Sequence, residues 1–175
     1  MWMWRRAPRM VVRLARMDDI PALPIIERSA AEAFRDSPHP WIADDGVTPA
    51  EAYPAAITAG AVWVSDADGD LDGFCLTQAF PGDALHVREL AVRHDRQGRG
   101  RGRALMAAVI DDAAHRGLPA VTLTTFADVA WNAPFYASLG FHPLDAGRLD
   151  DRLRDDLAAE AARGLINRVA MLLPL

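Results

Sequence analysis

The sequence predicts an α+β domain built on a mixed, mostly antiparallel central sheet with helices on both faces. Three observations predict it. Three strand-like runs follow one another between Ala61 and Val92, separated by turn residues; a glycine- and arginine-rich loop then precedes a helical segment; and the second half runs strand, loop, helix, strand, helix.

The elements follow in order. Met10 to Ala15 is short and rich in β-branched residues, and Asp18-Asp19-Ile20-Pro21 behind it suits a helix start. Ile25, Ile26, Ala30, Ala33 and Phe34 fall close to helical spacing, up to a stop at Asp36-Ser37-Pro38-His39-Pro40. Thr48-Pro49-Ala50-Glu51 reads as a capping box opening a second helix to Ala59, with a kink at Pro54. Ala61 to Val64 and Leu71 to Phe80 read as strands joined by a hairpin turn at Asp66 to Asp70. A second turn at Pro81-Gly82-Asp83 leads into a third strand ending at Val92. Leu105 to Ala114 is helical and closes at Gly117 and Pro119. Val121 to Phe126 is a strand by composition, and Ala130 to Leu139 a short helix ended by Gly140. Phe141 starts another strand, Leu149 to Arg163 suits a surface helix, and Asn167 to Leu173 a closing strand.

With 175 residues, 51% of them apolar, the chain suits one domain with one core, over residues 10–175. Residues 1–9 read as a disordered leader, with Met10 as an alternative start. A net charge of −5 argues against a broad basic face, so no nucleic-acid partner is expected. No run is long enough to span a bilayer, which predicts no membrane partner. The single cysteine, Cys75, allows no internal disulfide and suits the cytoplasm; set in an apolar strand, it reads as an inert thiol. His39, His86, His94, His115 and His142 show no short ligand spacing, so no metal is expected.

The informative segment is Val92-Arg93-His94-Asp95-Arg96-Gln97-Gly98-Arg99-Gly100-Arg101-Gly102-Arg103. Without Cβ atoms, Gly98, Gly100 and Gly102 let the backbone turn tightly and offer its N–H groups to a diphosphate, and the following helix adds its positive end. The arginines supply a local positive field. A P-loop would need Gly-Lys-Ser/Thr, and a dinucleotide fold Gly-x-Gly-x-x-Gly after a first parallel strand; neither is present. An arginine-glycine loop for RNA would interleave aromatic residues, and this one has none.

Gln97-x-x-Gly100-x-Gly102, between Leu90-Ala91-Val92 and Ala104-Leu105, resembles motif A of the GNAT superfamily of N-acetyltransferases. Trp131-Asn132-Ala133-Pro134-Phe135-Tyr136 with Gly140-Phe141 resembles that family's later signature. The resemblance implies a GNAT-like sheet and acetyl-CoA as co-substrate. It places the diphosphate on the amides of Gly98, Arg99, Gly100, Arg101, Gly102 and Arg103, with Gln97 in the same loop. It sets the pantetheine arm along Leu90, Ala91 and Val92 and against Asn132, and makes Tyr136 the donor to the departing sulfur. Phe135, Leu139 and Phe141 form a packing stripe, with Phe135 also counted among the cofactor contacts. His94 and Arg101 depart from the family's usual proline and aliphatic residue without removing an amide donor that the cradle needs.

An alkyl ammonium must lose a proton before it attacks a thioester. Alternation places His86 and Arg88 on one face of their strand and Glu89 on the other, unless a bulge intervenes. By resemblance the base lies on this strand, with Glu89 the first choice and His86 the second. The acceptor, a small-molecule or peptide amine, falls by the same likeness to the first helices and their connection, where Glu27, Phe34, His39 and Trp41 are candidate lining residues. A homodimer is expected by analogy alone. The alternative to an enzyme is an acyl-CoA-binding sensor that has kept the cradle and lost the chemistry.

Overall fold

The computed structural model describes residues 10–80 and 83–175; the leader expected at residues 1–9, and Pro81 and Gly82 of the second turn, lie outside the described residues. Seven strands form one sheet in the order β1-β2-β3-β4-β5-β7-β6: β1 Met10–Leu14, β2 Val62–Ala67, β3 Asp70–Phe80, β4 Ala84–Val92, β5 Ala120–Phe126, β6 His142–Pro143 and β7 Arg168–Pro174. Every neighbouring pair is antiparallel except β4 with β5. The helices are α1 Leu23–Ala31, α2 Tyr53–Thr58, α3 Arg101–His115, α4 Ala133–Ala137 and α5 Asp151–Ala162. None of them is long and apolar enough to cross a membrane.

The sheet is buried on both faces, as expected. On one face Cys75, Leu85 and Val87 pack against Leu105, Met106 and Val109 of α3. On the other, Val62, Val64, Phe74 and Ala91 pack against Leu23 and Ile26 of α1 and Tyr53 of α2. Each fully buried leucine or methionine contributes roughly 1.5–3 kcal/mol. The close seat of α3 requires Gly73 in β3: a Cβ there would stand 2.9 Å from the Ser65 hydroxyl and 3.2 Å from Leu105 Cδ1. The hairpin between β2 and β3 turns on Asp68 and Gly69, at φ 55° and 92°, as a two-residue connection needs.

Several boundaries differ from expectation for local reasons. The Asp18–Pro21 start is a 3-10 turn, Met17–Ala22, and α1 begins behind it with Pro24 in its first turn. Thr48 caps no helix, because its N–H and hydroxyl both reach Glu27. A 3-10 turn at Ala50–Ala52 follows, so Pro54 lies in the first turn of α2 and kinks nothing. The helix after the glycine loop starts at Arg101, ahead of the expected Leu105, because Gly100 turns at φ 81°. α4 is shorter than expected, with Asn132 at its cap position outside the helix.

Two irregularities of β4 create the site. Its pairing with β5 covers only Leu85, His86 and Val87, so from Arg88 to Val92 the edge facing β5 is open. A bulge intervenes as well: Glu89 lies opposite Leu76 and Val87 opposite Thr77, leaving Arg88 as the extra residue. Glu89 is thereby turned onto the same face as His86, against simple alternation.

Candidate active site

Where β4 and β5 part, a cavity of about 720 Å³ opens, running from the glycine loop to the connection behind α1. At the loop end Gly98 and Gly100 adopt φ 70° and 81°, a region that costs other residues strain, and the chain passes directly into the first turn of α3. Gln97 clasps this turn by donating its side-chain amide to the Val92 carbonyl at 3.0 Å. Gln97, Gly98, Arg101 and Gly102 line the cavity, whereas Arg99, Gly100 and Arg103 stand outside the lining.

The loop arginines mostly brace the protein. Arg93 and Arg96 pair with Asp70 and Asp95, and Arg103 donates to the Ser138 hydroxyl at 3.0 Å. Arg101 Nε lies 2.8 Å from Asp72, a buried carboxylate in β3 that also accepts the Ser65 hydroxyl. This pair, absent from the sequence-based expectation, pins the start of α3 to the sheet. An anion at this end therefore meets backbone N–H groups and a helix N-terminus more than free guanidinium charge.

In the middle, the open edge of β4 presents Leu90 and Val92, while Ala91 turns away into the α1 core. Opposite stand Asn132, Phe135 and Tyr136. The Asn132 side-chain nitrogen is buried and has no hydrogen-bond partner among the described residues. Such an orphan donor on a cavity wall calls for an acceptor from a ligand. Phe135 and Phe141 meet the Tyr136 ring edge-on at 5.1 and 5.9 Å, so Phe135 both packs and lines. Burial, with Cys75 and Glu89 nearby, raises the Tyr136 phenol well above its usual range and keeps it protonated.

The far end is built from side chains. Burial and the neighbouring Glu27 carboxylate push the Glu89 carboxyl up to about 7, against a smaller opposing effect of Arg168. Glu27 is fixed by the Thr48 N–H at 3.1 Å and by the Thr48 and Tyr53 hydroxyls, each at 3.3 Å. Phe34 meets Phe126 and Trp131 edge-on, both at 5.8 Å. Arg168 lies over Phe126 at 4.5 Å and forks onto Glu160 at 2.9 and 3.0 Å.

Three residues expected as base or acceptor lining also lie elsewhere. His86 is buried off the cavity, with Nδ1 3.0 Å from the Thr122 hydroxyl and 3.2 Å from Arg152. Burial, helped by Arg88 and Arg152, lowers its pKa to about 3, so it is a neutral structural group. Trp41 is 41% exposed and does not line the cavity: the 3-10 turn opened by Pro40 buries Ala43 and sends Ile42 inward instead. His39 is buried behind the aromatic wall, 2.9 Å from Asp128 and stacked on Phe126. Trp131, Phe126, Glu160 and Arg168 were missed. Trp131 alone had a sequence signal, since it precedes Asn132.

The acetyltransferase (GNAT) family model matches residues 24–141. Among solved structures, a Mycobacterium tuberculosis protein, Rv2747, in complex with CoA superposes with a TM-score of 0.71 at 20% identity, over 94% of this chain and 99% of that one. The ribosomal-protein-S18-alanine N-acetyltransferase from Escherichia coli gives 0.67 at 21% identity, over 95% and 94%. N-acetylglutamate synthase from Neisseria gonorrhoeae, complexed with coenzyme A and N-acetyl-glutamate, gives 0.71 at 20% identity; it covers 97% of this chain, which spans only 36% of the synthase. These likenesses establish a shared fold.

Proposed function

Because the chain belongs to the acetyltransferase (GNAT) family, we propose that it moves the acetyl group of acetyl-CoA directly onto a primary amine within a ternary complex. The observation that carries this reading is that one cavity joins a glycine turn at a helix start, a protonated Tyr136 and a carboxyl at Glu89 poised near neutrality.

The residues fit an acyl-CoA. The amides from Gly98 to Arg103 would hold the diphosphate, the open edge of β4 the pantetheine amides, and the orphan Asn132 nitrogen a pantetheine carbonyl. Acetyl-CoA, when bound, supplies the activated acyl group. Glu89, directly or through a water, accepts the proton that the ammonium must lose; an N–C bond then forms as the C–S bond breaks, and the second proton leaves the nitrogen to solvent, which restores the one that Tyr136 gives to the sulfur. A main-chain N–H near Val92 stabilises charge on the carbonyl oxygen, and Tyr136 donates to the departing sulfur. No covalent enzyme intermediate is needed, in keeping with Cys75, whose burial raises its thiol far above the reactive range.

A thiol-release assay with acetyl-CoA and an amine panel tests the reading. Tyr136→Phe should lower kcat by about 10²–10⁴-fold and leave CoA affinity nearly unchanged. Equal losses in both would remove Tyr136 as the donor. Tight CoA binding with no turnover on any amine would instead identify a silent acyl-CoA-binding module.

A further inference from the structure

Every arginine that lines the cavity has a carboxylate partner: Arg88 pairs with Asp156, Arg96 with Asp70 and Asp95, Arg101 with Asp72, Arg163 with Asp45, and Arg168 with Glu160. The lining acids are not matched in return. Asp45 and Glu160 have their arginines, but Glu27 and Glu89 form no ion pair with any described residue. Glu27 receives only neutral donors, from Thr48 and Tyr53, which fix its direction without neutralising it. Beside them Phe34 and Trp131 add aromatic surface, which attracts cations. The acceptor end therefore lacks a positive charge that a ligand can supply.

From this imbalance we infer that the acceptor binds as a cation held by Glu27 beside Glu89, and that its amine carries no free carboxylate next to it. The inference rests on the proposed amine acceptor and deepens it. Glu27 is a positioning residue that draws in the ammonium form, while Glu89 takes the proton. A carboxylate adjacent to the amine would face both glutamates, with the nearby arginines already engaged. Acetylation turns the cation into a neutral amide, which loses its attraction to Glu27 and so favours product release.

The charged and titratable groups around Glu89 are Glu27 from α1, Tyr53 from α2, Tyr136 from α4 and Arg168 from β7, with Cys75 of β3 on the opposite face of the sheet and Glu160 of α5 on the same cavity. Of these Glu27 is the one that holds the Glu89 proton on, after burial itself. Removing its charge should therefore move the acidic limb of the rate profile to lower pH.

Calorimetry on the CoA-loaded protein tests the inference with two matched probes, alaninamide, a cation, and alanine, a zwitterion. Alaninamide should bind at least about tenfold more tightly. Glu27→Gln should erase that preference and weaken alaninamide about tenfold, with CoA affinity unchanged. Tyr53→Phe removes one of Glu27's donors and leaves its charge, so it should keep the preference. Equal binding of the probes, a preference for alanine, or a Tyr53→Phe variant that behaves like Glu27→Gln would each overturn the assignment. Binding is read here without turnover. A protein that shows the preference but transfers nothing would refute acetyl transfer alone, and an active enzyme with no preference would refute only this inference.

Discussion

The two ends of the cavity are built on different principles. The loop end comes from consecutive residues, Gln97 to Gly102, which are proposed to bind through their backbone, while Arg101 turns aside to brace the protein against Asp72. The acceptor end gathers side chains from α1, β4, β5, α5, β7 and the stretch before α2, and none of those residues means much in its own segment. A ligand common to a family can be read by a backbone turn that tolerates changes such as His94 and Arg101. A ligand particular to one protein has to be read by side chains brought together by the fold.

The largest expected effect would break the loop end at its anchor. Asp72 is buried and holds both Arg101 and Ser65. Asp72→Ala leaves the Arg101 guanidinium without its partner at the start of α3, and should cost about 3–5 kcal/mol of stability in denaturant titrations. CoA affinity should fall with it, because the amides are carried by the turn that this pair pins. Stability lost with CoA affinity intact would show that the turn holds its shape without the anchor, and the contrast between the two ends would weaken.

The same contrast explains what was legible in the sequence. The strand order from Val62 to Val92, a hairpin within Asp66 to Asp70, the glycine turn and the helix stop at Gly117 all rest on local chemistry, and the structure has them, with the hairpin narrowed to Asp68-Gly69. The capping box at Thr48 failed because a tertiary partner, Glu27, took both donors. Alternation failed at Glu89 because the bulge at Arg88 depends on how β3 is paired, and one residue does not show it. Glu160 looked like part of a solvated helix face, yet Arg168 and the Thr124 hydroxyl draw it against the cavity. Trp41 and Trp131 are both aromatic and flank loops, and only the direction of the turn after Pro40 tells them apart.

A smaller effect sharpens the acceptor end. With its carboxyl pushed up to about 7, Glu89 in its proposed role would act as a base only above that pH, so turnover should climb through neutrality and level off above it. Glu89→Gln should lower kcat/KM by about a hundredfold at pH 8 and flatten the profile. The folded protein binds this proton more tightly than the unfolded chain, whose carboxyl keeps its usual 4.5. Stability from this group is thus full below about 4.5 and is lost as pH rises through about 7, so Glu89→Gln should be more stable than the parent at pH 8 and nearly equal to it at pH 4. A variant that loses activity and stability together would make Glu89 a structural residue and return the base to a bound water placed by other groups.

The smallest effect separates two tryptophans that the sequence could not rank. Trp131 meets Phe34 on the cavity wall, whereas Trp41, although about equally exposed, does not line the cavity. Trp131→Ala should raise the acceptor KM by about tenfold, the equivalent of one lost aromatic or cation–π contact, with the KM for acetyl-CoA unchanged. Trp41→Ala should alter neither constant, as expected for a surface substitution away from a site. If both variants raised the acceptor KM alike, the acceptor would have to extend out of the cavity onto the turn after Pro40, which a peptide can do and a small amine cannot; the pair of substitutions therefore also measures how long the acceptor is.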